Sequence, residues 1–136
     1  TVDGTNNWLK IEFPKTAQTD ISGVSRKDAA DPYDVQSGFS FKITFSIFLE
    51  NASNWTQGSG NTQVTTKVSF GGRTSHFEVT PDTTQVIDTG VQTATGSNQN
   101  NLFIFFNTEN DLPEASAKFY IKFLNIQTAQ DASDIT

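Results

Sequence analysis

The sequence predicts an all-β fold: a two-sheet antiparallel β-sandwich of roughly eight strands. Three observations lead to it. Apolar and polar residues alternate with a period of two in segment after segment, those segments are bounded by Gly, Pro, Asn and Asp, and no stretch keeps a helical period beyond a single turn.

The first strand is read in "NWLKIEF", residues 7–13, where Leu9, Ile11 and Phe13 share one face and Trp8 takes the other. Pro14 ends it, because proline has no N–H to give to a ladder. Residues 15–37 form a long connection rich in Asp, Ser and Ala, with weak strand potential at Ile21–Val24. The longest strand follows at about 39–49. Phe39, Phe41, Ile43, Phe45, Ile47 and Leu49 are apolar at every second position, and Ser40, Lys42, Thr44 and Ser46 are polar between them. Phe48 breaks the alternation and is expected to pack under a loop or against another subunit.

"TQVTTKVSF" sets Val64, Thr66, Val68 and Phe70 on one face, Gly71-Gly72 signals a hairpin, and "RTSHFEV" returns with Phe77 and Val79 inward. A weaker strand lies around Val86–Val91, interrupted by Gly90. "LFIFF" at 102–106 and "AKFYIKFLNIQ" at 117–127 are apolar on both faces, the pattern of central strands with packing on either side. "PEASAK" at 113–118 allows one helical turn. These elements make a single domain over residues 1–127, with 128–136 as a linker or frayed tail.

Composition narrows the function. A chain of 136 residues suits one domain that buries roughly two-thirds of its unfolded surface. It has no Cys, which excludes disulfides and thiolate metal or redox sites. It starts at Thr1 and lacks Met, as expected of a piece of a larger polypeptide. No run of about twenty apolar residues is present to insert in a membrane. The net charge of −6 and the dispersed Lys and Arg argue against nucleic acid, whose binding is driven by phosphate neutralisation. The wealth of Asn, Gln, Ser and Thr is that of extracellular β domains, secreted or surface-exposed.

Three segments carry a family resemblance. "SGFSFKITFSIFL" (Ser37–Leu49), "NNLFIFFNTEN" (100–110) and the closing "KFYIKFLNIQ", with Phe119, Tyr120, Ile121, Leu124 and Ile126 in register, resemble the β-jelly-roll carbohydrate-binding modules of the galactose-binding-like sandwich group. The resemblance implies jelly-roll topology and a glycan partner. Where that family often carries an Asp pair for a structural calcium, this chain has Lys122 and Phe123.

No catalytic motif emerges, and the chain is read as a non-enzyme. The one His, His76, shares a strand face with Glu78, as a solvated face would. No G-x-S-x-G, H-E-x-x-H or phosphate loop occurs. No cofactor is required. Asp28, Asp31 and Asp34, spaced by three, are a candidate structural Ca²⁺ set, although Asp equally serves turns.

The aromatics outside the core pattern are more informative, because a flat ring stacks on the C–H face of a sugar while amides and carboxylates bond its hydroxyls. Trp55, in the polar loop "ENASNWTQGSGN", and Tyr33 are the first candidates for contact. Asn54, Gln57, Asn61, Gln63 and Glu50 are the polar partners, and outward Tyr120 paves the sheet. The expected function is a non-catalytic carbohydrate-binding module for an extracellular polysaccharide. The alternative is a structural or adhesive virion domain, such as a phage fibre or capsid decoration protein. It would self-associate as a homo-oligomer through Phe48, Trp8 and Phe105.

Overall fold

The computed structural model describes residues 2–3, 8–13, 21–26, 35–52, 55, 63–95, 102–107 and 117–136. These form ten strands: β1 (Val2–Asp3), β2 (Trp8–Phe13), β3 (Ile21–Arg26), β4 (Ser40–Glu50), β5 (Val64–Phe70), β6 (Arg73–Val79), β7 (Gln85–Asp88), β8 (Gln92–Thr93), β9 (Leu102–Asn107) and β10 (Ala117–Ala129). A single 3-10 turn follows at Ala132–Asp134. All strand pairs are antiparallel. One sheet runs β1-β2-β10-β4-β7, with β8 also on β4, and the other runs β3-β9-β5-β6.

The period-two alternation decides which side of each strand is buried. In β4 every odd residue from Phe41 to Leu49 is buried and the even ones after Ser40 are half-buried. Facing them across the sandwich are Val64, Val68 and Phe70 of β5, Val79 of β6, and Leu102, Ile104 and Phe106 of β9. Two edge-on ring pairs bridge the sheets: Phe41–Phe70 at 5.2 Å and Phe119–Phe106 at 5.0 Å between centroids. Such pairs add about 0.5–1.5 kcal/mol each to the burial of their area.

Several elements depart from the expectations above. The weak Ile21–Val24 segment is a full strand, β3, paired along its length with β9. The segment around Val86–Val91 splits into β7 and β8, with Gly90 at φ +66° between them. Both "LFIFF" and "AKFYIKFLNIQ" are central in their sheets, yet their outer faces are not covered throughout. Phe103 is 41% exposed, and Leu124 is exposed as well. In β10 the apolar residues change parity rather than line both faces. Phe119 and Ile121 pair with Leu49 and Ile47, and Ile126 pairs with Ile43, after one extra residue between Lys122 and Asn125. The strand continues past residue 127 to Ala129, and the Thr136 N–H bonds the Gln127 side chain at 3.1 Å.

One end of the sandwich is closed by the Gly71-Gly72 hairpin, where both residues have positive φ, as two-residue turns of the I′ type require. The hairpin is tied to the segment after β8: the Thr95 N–H donates to the Gly71 carbonyl at 2.8 Å, and the Ala94 N–H to the Phe39 carbonyl at 2.8 Å. A Cβ on Gly71 would sit 2.9 Å from Cε1 of Phe41 and 3.2 Å from Cγ1 of Val35. Gly71→Ala therefore combines left-handed strain with overpacking and is expected to cost roughly 2–4 kcal/mol in urea unfolding. Gly90→Ala has the same sign of φ but open space around it. It should cost only the conformational part, about 1 kcal/mol. Equal losses for the two would show that the close approach at Gly71 does not matter.

Candidate functional site

The outer face of the β10–β4 ladder collects the side chains that alternation turns away from the core. Register sets Lys118 opposite Glu50, Tyr120 opposite Phe48, Lys122 opposite Ser46, Asn125 opposite Thr44 and Gln127 opposite Lys42. On the far side of β4, Val86 lies opposite Ser46 and Asp88 opposite Thr44. Lys42 and Asp88 form an ion pair at 3.6 Å.

At one end of this face the side chains converge. The Tyr120 hydroxyl donates to Oε1 of Glu50 at 3.1 Å, and the Lys118 ammonium lies 3.8 Å from Oε2 of the same carboxylate. The Tyr120 and Phe48 rings sit 6.1 Å apart, inclined at 58°. Phe48 is thus on the outer face because it is the cross-strand partner of Tyr120, a pairing worth a few tenths to about 1 kcal/mol in a sheet. It is half-buried, with the Tyr120 ring of its own sheet beside it. The half-exposed ion pair contributes little to stability. Its consequence is positional: one carboxylate holds both a phenol and an ammonium beside a tilted aromatic pair.

Further along the strand, the bulge between Lys122 and Asn125 carries Phe123 at φ +57° with 73% of its surface exposed. The Lys122 ammonium stands 4.8 Å from the centroid of that ring. The other described non-glycine residues of positive φ are Asn51 and Asp82, types that tolerate it; Phe123 is the bulky exception.

The outer face of the second sheet is different. Lys67 pairs with His76 and Thr65 with Glu78, whose carboxylate accepts from the Thr65 hydroxyl at 2.8 Å. Phe103 lies opposite Ser69. Where β6 meets β8, Arg73, Thr74, Gln92 and Thr93 line a shallow depression of about 360 Å³. Two of its side chains tie the sheets together: Arg73 Nε–H donates to the Thr93 carbonyl at 2.9 Å, and Gln92 Nε2 to Ser75 Oγ at 2.7 Å. Among the described residues no group of three or more His, Asp or Glu is placed to hold a metal ion.

Of the residues singled out in the sequence, the structure brings Glu50 and Tyr120 into one cluster. Gln63 is elsewhere, donating to Thr80 Oγ1 at 3.2 Å where β5 begins. Trp55 requires correction. It is fully buried, its indole N–H donates to the Lys118 carbonyl at 3.1 Å, and its ring packs 4.9 Å from Phe106 and 6.2 Å from Phe119. Its apolar neighbours are distant in sequence, so the polar loop around it concealed a core residue. Tyr33, Asn54, Gln57, Asn61 and the candidate calcium set Asp28, Asp31 and Asp34 lie outside the described residues. The side chains of Trp8 and Phe105 do so too. Sequence reasoning missed Lys118 as the cation of the cluster. The signal was available, because Lys118, Tyr120 and Lys122 are alternate residues of one strand.

No protein-family model matches the chain, and no curated protein matches it in sequence. Among solved structures, the chain is similar to the EclA C-terminal domain, described as a sugar-binding protein. The TM-score is 0.46 and the identity 15%, over 88% of this chain and 78% of that one. A likeness at that level assigns neither family nor ligand.

Burial of the indole makes Trp55→Ala a core truncation. Its expected cost is about 3–5 kcal/mol in equilibrium unfolding. A loss below about 1 kcal/mol would instead mark an exposed ring.

Proposed function

We propose that the chain is a non-catalytic carbohydrate-binding module that holds an extracellular glycan on the outer face of its six-stranded sheet. The observation that carries the proposal is the cluster of Tyr120, Phe48, Glu50 and Lys118. In this reading the Tyr120 ring offers its flat face to the C–H face of a sugar, and Phe48 props it from across the ladder. The Glu50 carboxylate accepts from sugar hydroxyls, and the Lys118 ammonium donates to ring or hydroxyl oxygens. Around them, Ser46, Thr44 and Asn125 line the same face of the ladder. Because Glu50 already holds the phenol and the ammonium, little side-chain freedom is lost on binding. Affinity per module is modest and rises through multivalency in a larger polypeptide.

The strand order, β2-β10-β4-β7 over β3-β9-β5-β6, supports a jelly-roll reading of the sandwich. An extracellular location belongs to the same proposal.

One observation favours the alternative of a self-associating virion domain. Val86 is 74% exposed on β7, at the edge of that sheet, where a neighbouring subunit could cover it. Solution mass discriminates: the binding-module reading expects a monomer at tens of micromolar, whereas a stable trimer burying Val86 would favour the virion domain.

A glycan array and affinity gels with soluble polysaccharides test the leading proposal. The wild-type chain should be retained without releasing reducing sugar. Tyr120→Ala, with its circular dichroism unchanged, should lose affinity by about tenfold or more, equivalent to about 1.4 kcal/mol. Glu50→Gln should weaken binding less, since an amide still accepts one bond. No retention of the wild type on any glycan would sink the proposal.

A further inference from the structure

The inward residues of β10 lie at odd positions through Ile121 and at an even position at Ile126, so the strand must gain one residue between them. The bulge opposite Phe45 supplies it. A bulge whose first residue takes a left-handed conformation is ordinarily built with glycine, which adopts that conformation without strain. This chain has Phe123 there, at φ +57°. Its ring does not repay that strain by burial, for it is 73% exposed, and the adjacent Leu124 is exposed too. An outlier of this kind, on a large exposed ring, points to use of the ring itself.

The location of the ring gives that use a direction. Lys122 faces outward opposite Ser46, and its ammonium stands 4.8 Å from the Phe123 centroid, so the ring borders the same outward surface as Tyr120. Three residues along an extended strand separate Tyr120 from Phe123, a span of roughly 10 Å at ~3.3 Å per residue. That span exceeds one sugar ring and is within reach of an extended chain of linked sugars.

We propose that Phe123 is a second stacking platform, and that the ligand of this face is therefore an extended oligosaccharide engaging Tyr120 and Phe123 together rather than a terminal sugar. The inference rests on the glycan reading of the Tyr120 cluster and adds the ligand's length and linearity. The bulge presents the second ring, and the Lys122 ammonium beside it supplies a donor for the hydroxyls of the sugar stacked there.

The test has two arms. The first needs no ligand: thermal unfolding of Phe123→Gly. Glycine relieves the left-handed strain, so the melting temperature should equal or exceed that of the wild type. A fall of several degrees would show that the ring is a packing element and would overturn the proposal. The second arm titrates wild type, Phe123→Gly and Tyr120→Ala with a mono- to hexasaccharide series. The series is cut from whichever of laminarin, xylan, galactomannan or hydroxyethylcellulose retards the wild type in gels. Wild-type affinity should rise with chain length by about tenfold, since a second contact acts at high effective concentration. Phe123→Gly should abolish the rise and leave the shortest sugars unaffected, while Tyr120→Ala weakens every length. A wild type that binds without length dependence, or a Phe123→Gly variant that keeps it, overturns this inference and leaves the glycan reading standing. A wild type that binds none of the four polysaccharides overturns the inference, and one that also binds no glycan on the array removes the glycan reading with it.

Discussion

The β4–β10 ladder is the interaction on which the rest of the structure depends. It sits at the centre of the six-stranded sheet, so β2 hangs from one side of it and β7 and β8 from the other. Its inward residues supply one wall of the core, including Phe119, which meets Phe106 of the opposite sheet. Its outward residues are the candidate site. A slip of one residue in this pairing would exchange the two sets, placing Tyr120, Lys122 and Glu50 against apolar residues. Register is therefore held by the core itself: Trp55, donating to the Lys118 carbonyl and packed on Phe106 and Phe119, anchors one end. The extra residue at Phe123–Leu124 reconciles the two halves of the strand.

Much of this fold is legible in the sequence wherever alternation is unbroken. β4 and β6 match their segments nearly residue for residue, and the hairpin at Gly71-Gly72 sits where the two glycines put it. Legibility fails where the pattern depends on distant partners. β3 carries Gly23 and serines and looks weak alone; it becomes a strand by pairing with the apolar β9. Apolar residues at both parities of β10 suggest burial on two sides, but a bulge produces the same pattern with one side buried. Asp82 gives no signal of its role. Its carboxylate accepts from the backbone N–H groups of Asn51 and Ala52 at 2.7 and 2.9 Å, holding the chain as it leaves β4.

The same limit governs the site. Glu50 and Tyr120 could each be placed on an outward face from the sequence, but they are seventy residues apart and meet only through the ladder register. Trp55 and Phe48 show this limit from complementary sides. Trp55 has polar neighbours along the chain and aromatic neighbours in space. Phe48 interrupts a polar face along its own strand and completes an aromatic pair across it. Local composition is a guide to exposure only when the covering residues are also local.

A site placed on the two central strands of a sheet differs in kind from one carried on loops. The backbone beneath Tyr120, Phe48, Glu50 and Lys118 is fixed by ladder bonds on both sides of β10, and by buried Phe119, Ile121, Ile47 and Leu49 directly underneath. Motion that would disorganise the outer cluster must first disturb the core, so the energy that holds the sandwich also orients the cluster. The bulge is the one point on β10 where this coupling loosens. There the strand gives up a regular pair, and the side chain it presents is set by backbone conformation rather than by a cross-strand neighbour. Conformational strain can be kept at Phe123 because the five regular pairs on either side of it over-determine the strand. A tight ladder thus tolerates, at its single irregularity, a residue that the ladder's own stability does not require.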